Sequence, residues 1–309
     1  MENAAAAARR MWALFEPIHV VTYFSPEARA GFEQAGLRGF WRGYFGGRAA
    51  PMGRVGAAPV VAAFYVFAPA MVGRALPSIW ELATPEQALA ARQAGAVTAI
   101  RGLLGLPDDG TVPPAVVAAA DQLMAVATRL DTAGRSLAAP NAVLAAPDEP
   151  VARLWQAATL LREHRGDGHV AALVAADIDG TEALALRAGV DRASNGEHRQ
   201  VAAAWNRDQM QPARGWTDEQ WDAADARLAA RGLLTPDASA TLAGLELHAD
   251  VERATDRAAA RPWAGLDQHE VARLIELLEP IARACAAVMP FPNPIGVPEP
   301  GSHRDGASR

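Results

Sequence analysis

At 309 residues, half of them apolar and a fifth charged, the chain is long enough for one large or two smaller cores and is not of disordered composition. All 29 basic residues are Arg and the net charge is −6, which weighs against a basic chain built to coat nucleic acid. The single cysteine excludes an intramolecular disulfide and fits a reducing cytoplasm.

From the N-terminus, alanines precede Arg9 and Arg10, the reverse of the order in a secretion signal. Residues 4–24 read as a helix carrying Met11, Trp12, Leu14, Phe15, Ile18 and His19 on one side, with Pro17 expected to kink or end it. Glu16 and His19 are spaced to share a face, and Tyr23 follows one turn later. Ser25-Pro26-Glu27 is a helix start. Residues 36–53 combine Arg38, Phe40, Trp41, Arg42, Tyr44, Phe45 and Arg48 with many glycines. Three readings stand side by side: aromatics packed inward from a loop, a pocket in which Arg and aromatics hold an anion, or a nucleic-acid stacking surface. With no Lys in the chain, the glycines complete no phosphate loop. Residues 58–72 read as a buried helix; as a membrane span they fail, because two prolines and a tyrosine interrupt the apolar run. Further helices are expected over 84–103, opened by Thr84-Pro85-Glu86 and weakened at Gly95, and over 114–130. The Pro- and Ala-rich stretch 140–150 is the expected domain boundary.

The densest polar cluster is Leu160–His169. A helix carrying Leu154, Ala157, Ala158 and Leu161 is expected to break at Gly166 and Gly168, with Asp167 capping the next helix and His164 and His169 flanking the corner. The functional reading makes Glu163, His164, Asp167 and His169 ligand contacts; the plainer reading is a braced interhelical turn. His19, His164 and His169 would be metal candidates if they met, although no i,i+4 pair requires it. After a helix over 180–190, a polar turn over 191–197 and a short helix carrying Trp205 inward, Thr217 with Gln220 forms a capping box that opens a helix to Arg231. Arg231-Gly232-Leu233-Leu234, a polar turn read as two small strands, and a helix over 245–261 follow, similar to the recognition helix and wing of winged helix-turn-helix proteins. The early part of that recognition helix carries Asp218, Glu219, Asp222 and Asp225, which would bring carboxylates to a polyanion. Residues 267–288 form a last helix whose apolar stripe, including Cys285, suits the core or a dimer; a Pro/Gly-rich tail follows.

The runs Glu16–Phe24, Arg38–Gly53, Leu160–His169 and Arg231–Leu234 together resemble the SalK-like family of high-GC bacteria, described as carrying a helix-turn-helix domain. The resemblance implies a largely helical fold with a winged-helix-like part and no activity or catalytic residue. The association of some members with natural-product genes implies a small-molecule role in secondary metabolism. The sequence carries no nucleophile elbow, H-E-x-x-H, C-x-x-C or cofactor signature.

The expectation is therefore a mainly α protein: a helical domain over 1–148, a winged-helix-like domain with a small β wing over 149–262, a C-terminal helix over 263–289 suited to dimerisation, and a tail over 290–309. Its function is expected to be binding or transforming a small molecule in the cytoplasm, as a homodimer, without membrane or nucleic-acid partners. The pocket is expected to draw on Glu16, His19, Tyr23, Arg38, Trp41, Arg42, Tyr44, Arg48, Glu163, His164, Asp167 and His169. The alternatives are a ligand-responsive winged-helix regulator and a partner-binding accessory protein. Catalytic residues and cofactor stay unassigned.

Overall fold

The computed structural model describes residues 2–194 and 206–290, together with 293, 297 and 299. The expectations for Trp205, for the later part of the polar turn after residue 194 and for most of the tail lie outside these residues. The chain runs through α1 (Glu2–Phe24), α2 (Pro26–Gln34), α3 (Phe40–Ala49), α4 (Ala57–Phe64), α5 (Pro69–Ala75), α6 (Pro85–Leu103) and α7 (Pro114–Ala127). It continues through α8 (Ala138–Ala142), α9 (Pro150–Ala175), α10 (Gly180–Ser194), α11 (Arg207–Arg214), α12 (Asp218–Ala230), α13 (Leu242–Ala258) and α14 (Gln268–Ala286). Local signals set many of the starts. Ser25 Oγ accepts the Ala28 N–H (3.1 Å), and Thr84, Thr217 and Asp267 each form a reciprocal box with the residue three positions on.

Helix α9 organises the molecule. It does not break at Gly166 and Gly168, as expected from their low helix propensity, but runs unbroken for 26 residues. The two glycines cost it about 1 kcal/mol each. Burial of Leu154, Trp155, Leu160, Leu161 and Leu173 returns about 1.5–3 kcal/mol apiece, so packing wins. Gly168 is there for approach: a Cβ would stand 3.0 Å from the Ala258 Cβ on α13 and 2.5 Å from Arg135 Nη1. Asp167 caps a different helix, accepting the Ala138 N–H (2.8 Å) and the Leu137 N–H (3.0 Å) at the start of α8.

Three apolar clusters surround this helix. The first joins α1, the end of α6, α7, α9 and α14, with Trp155, Phe15, Leu123 and Leu278 at its centre. The second joins α2 to α5 and the start of α6 around Phe45, Phe64 and Trp80. The third joins the end of α9 with α10 to α13 around Trp221, Leu228 and Leu234. Helix α9 thus contributes to the first and third clusters, on both sides of the boundary expected near residue 148. The apolar stripe of α14, read as suiting the core or a dimer, packs in the core: Leu274, Leu278, Ile281 and Cys285 are buried in the first cluster. Burial pushes the Cys285 thiol up to about 12, in keeping with a core residue.

Three local expectations are corrected. Helix α1 passes through Pro17 without ending. The buried helix expected over 58–72 is two helices, α4 and α5, divided at Tyr65, whose φ of 53° no continuing helix allows. The β wing is absent among the described residues: a single bridge joins Leu234 to Ala240, and Thr235 closes the turn through its N–H to the Ser239 carbonyl (2.8 Å). Pro236 lacks a donor, and the loop is too short for a ladder. What remains is α11, a turn through Gly215, and α12, with α10 and α13 packed behind. Gly215 has φ 76°, and a Cβ there would meet the Met71 Cβ at 2.6 Å, so only glycine closes this turn. This is helix-turn-helix geometry, with α12 in the second position.

Candidate ligand-binding site

A cavity of about 480 Å³ lies where α1, α3, α4 and α9 face α10, α11 and α13. That volume falls within the range that small organic ligands occupy. Its aromatic wall comes from Trp12 on α1, Phe40, Trp41 and Tyr44 on α3, and Phe64 and Phe67 about the α4–α5 break. All three tyrosines of the chain line it. The glycines of α3 make this wall possible. A Cβ on Gly43 or Gly47 would meet the Phe32 ring at 2.9 or 2.4 Å, and one on Gly46 would meet Leu37 at 2.8 Å. Helix α3 therefore sits tight on α2 by its bare face and turns its aromatics and Arg48 the other way. The stretch expected as a glycine-rich loop is a helix.

The polar side of the cavity is a set of arginines held by buried carboxylates. Arg48 binds Glu163 through Nε and Nη2, both at 3.0 Å, and Arg162 bridges Glu163 (2.9 Å) and Glu16 (3.2 Å). Burial alone would raise the Glu163 carboxyl; the Arg162 and Arg48 guanidiniums outweigh it and hold the group well below the carboxylate range. Arg165 pairs with Asp256 (2.9 Å), Arg9 with Glu252, and Arg187 with Asp191 (2.9 Å). Arg214, the last residue of α11, faces Phe67 at 4.8 Å and donates to the carbonyl of Ala213 (3.3 Å). Its buried Nε has no hydrogen-bond partner, and no carboxylate among the described residues pairs with it.

Burial favours the neutral form of His19 and His169, and their tautomers follow from neighbours. Thr159 donates its hydroxyl to the Trp155 carbonyl (2.9 Å), so it accepts from His19 Nδ1–H (3.0 Å), leaving His19 Nε2 to accept from the Tyr23 hydroxyl (3.2 Å). Burial, with Arg162 nearby, holds His19 well below the usual imidazole value. The same logic applies to His169. Thr255 donates to the Val251 carbonyl (2.8 Å) and accepts from His169 Nδ1–H (3.0 Å). His169 Nε2 is then an acceptor with no protein partner among the described residues. The His169 side chain keeps 39 % of its surface, but that surface faces the cavity, and burial lowers its pKa.

Of the residues expected to line a pocket, Glu16, Tyr23, Trp41, Tyr44, Arg48 and His169 do so. Glu163 and His19 stand one layer behind, holding Arg48 and Tyr23 in place. Four expectations are corrected. Arg38, just before α3, and Arg42, on α3, are exposed and do not line the cavity. Asp167 is the α8 cap. His164 faces the loop around Asp131 and Arg135; burial, then Arg135, lowers it to about 4. On a continuous helix, five residues separate His164 and His169 by about 140°, which is why they part. The three candidate metal histidines do not converge, and among the described residues no group of three or more His, Cys, Asp and Glu is placed to hold a metal ion.

The sequence reading missed Arg162, Arg165 and Arg214, the aromatics Phe64 and Phe67, and His248 with Glu252 on α13. Arg162 and Arg165 lay inside the singled-out cluster, where their spacing on one helix face was a usable signal. Arg214, at the end of a short helix, carried none.

The exposed start of α12 is acidic, as expected. Arg207 of α11 binds Asp218 (2.9 Å) and Asp222 (2.5 Å), and Arg227 binds Asp179 (2.6 Å) and Glu182 (2.8 Å). No described helix is long and apolar enough to cross a membrane. A family model described as the helix-turn-helix family matches residues 8–292. No curated protein and no solved structure matches the chain.

Proposed function

The chain belongs to the helix-turn-helix family, and we propose that it binds a small organic molecule in the cavity between α1, α3, α4 and α9 on one side and α10, α11 and α13 on the other. The observation that carries this reading is the cavity itself: about 480 Å³, walled by aromatics and edged by a few fixed polar groups. Tight side-chain packing would leave no such space by chance, because interiors are filled to crystal-like density. The SalK-like resemblance, with its implied small-molecule role, supports the same reading. The test uses native mass spectrometry of the purified protein against its denatured mass, together with Gly166→Leu. Gly166 lines the cavity, and a Cβ there has nothing nearer than 3.9 Å, so a leucine fills the space without a clash in the helix. Retained ligand mass, lost in Gly166→Leu, supports the reading. A ligand retained equally by the filled variant refutes it.

A second reading is a ligand-responsive regulator that uses α12 on DNA. Two observations favour it: the family, and the way the cavity wall grips the turn before α12. Ala68 N–H donates to the Arg214 carbonyl (2.9 Å), and Trp216 Nε1 donates to the Val66 carbonyl (2.9 Å). The acidic start of α12 counts against it, since phosphate contacts draw on free cations. Measuring affinity for random duplex DNA at ~50 mM salt and again at ~200 mM decides. Tight binding with a steep salt slope favours the regulator; no binding at low salt leaves α12 as a packing element.

A further inference from the structure

We infer that the ligand is an aromatic monoanion, a flat organic body carrying one carboxylate-like group, and that Arg214 is its anchor. This rests on the reading that the cavity binds a small molecule, and names the class.

The inference comes from charge matching within the cavity. Arg48 and Arg162 are met by Glu163 and Glu16. Arg9 and Arg165 are met by Glu252 and Asp256. Arg187 is met by Asp191. Each of these arginines is already neutralised by a carboxylate. Arg214 is the exception. Its Nε is buried without a partner, its Nη1 reaches only the neighbouring carbonyl, and it remains charged at any physiological pH. A partly buried guanidinium with no counter-charge is costly to keep, and one anion relieves it. One unmatched cation calls for one negative charge; a dianion would leave a buried charge of its own.

The body of the ligand follows from what surrounds that cation. Arg214 lies over Phe67, and Phe67 packs against Tyr44 (5.5 Å between centroids) and Trp41 (5.9 Å). A flat π system fits beside such rings, stacked or edge-on. A saturated polar anion would leave this wall wet. Across the cavity, His169 Nε2 accepts and does not donate, so it repels a second carboxylate and suits a hydroxyl or N–H on the ligand. Anion recognition by Arg favours planar oxyanions, and Arg214 lines the cavity with no carboxylate of the protein paired to its guanidinium among the described residues.

The experiment compares two dyes of nearly the same shape: 1-anilinonaphthalene-8-sulfonate, a monoanion, and N-phenyl-1-naphthylamine, its uncharged counterpart. Each is titrated by fluorescence into wild type, Arg214→Gln and Arg214→Lys, with Gly166→Leu as the filled-cavity control. The expected result is one site that prefers the anionic dye at least ten-fold. Arg214→Gln should abolish that preference by weakening the anionic dye while leaving the neutral one, and Arg214→Lys should keep most of it. If both dyes bind wild type equally, or if Arg214→Gln leaves the preference intact, the anchor is refuted and the cavity reading stands. If neither dye binds, or Gly166→Leu binds both as wild type does, the cavity reading fails and this inference with it. Binding of the neutral dye reports that the Arg214 variants are folded, helical circular dichroism and a cooperative melt report it for Gly166→Leu, and the wild-type preference tests the inference without any variant.

Discussion

Replacing Glu163 with Gln probes the network that holds the cavity's polar side. The carboxylate is 1 % exposed and receives Arg48 Nε and Nη2 at 3.0 Å each and Arg162 Nη1 at 2.9 Å. Glutamine keeps the shape but removes the charge, and turns an NH₂ toward a guanidinium. Breaking a buried pair from one side costs about 3–5 kcal/mol, because the remaining charge is stranded. Arg162 keeps Glu16, and Arg48 keeps the Tyr44 hydroxyl (3.0 Å) and the Phe64 face (4.3 Å), which places the loss near the lower end. With an unfolding entropy of about 2.1 cal/mol/K per residue, a 3 kcal/mol loss lowers Tm by roughly 5 °C in a chain of this length. Urea unfolding and calorimetry at pH 7 measure it. The pH dependence gives a second reading. Glu163 is depressed in the folded state, so its stabilisation is fully present above the unfolded value of about 4.3 and is lost as pH falls below that toward the folded value. The gap between wild type and Glu163→Gln should therefore narrow at pH 3. A loss under about 1 kcal/mol at pH 7, the worth of a surface pair, would refute the argument, as would a gap that stays constant down to pH 3.

Other outcomes follow from the same geometry. Gly166→Ala should stabilise by about 1 kcal/mol in urea melts, since the helix gains propensity and the Cβ meets nothing closer than 3.9 Å, while Gly168→Ala should destabilise against Ala258 and Arg135; equal effects would contradict the roles given to the two glycines. Asp167→Ala should cost about 1–2 kcal/mol by uncapping α8, and hydrogen exchange at Leu137 and Ala138 should rise selectively. His164, lowered to about 4 by burial and Arg135, takes up a proton in the unfolded chain before it does in the folded one. Stability should thus fall as pH drops from about 6.5 toward 4, and His164→Gln should flatten that slope; an unchanged slope would show that other groups set it.

The cavity was half legible in the sequence. Trp41, Tyr44, Arg48, Glu16, Tyr23 and His169 came from runs where aromatic, basic and acidic residues concentrate, and concentration of that kind survives folding whatever the topology. Arg38 and Arg42 came from the same runs and are exposed: Arg38 precedes the helix, and Arg42 sits one helical step from Trp41 on a different face, and composition does not say which face is covered. The unmatched state of Arg214 is a property of five other arginines and their carboxylates, spread over most of the chain, and no window of sequence contains it.

Helix starts at Ser25, Thr84, Thr217 and Asp267 are written in four residues, because a cap satisfies N–H groups three positions away. The helix-turn-helix with its acidic second helix is equally local, resting on Gly215, Thr217 and the charges that follow. Whether Gly166 and Gly168 break a helix, whether Asp167 caps its own helix or another, and which charge Glu163 meets were decided elsewhere. Arg48 lies 115 positions from Glu163, and Ala258 lies ninety from Gly168. Such contacts are settled by which surfaces the apolar clusters bring together, and burial there is worth more than the local preference it overrides.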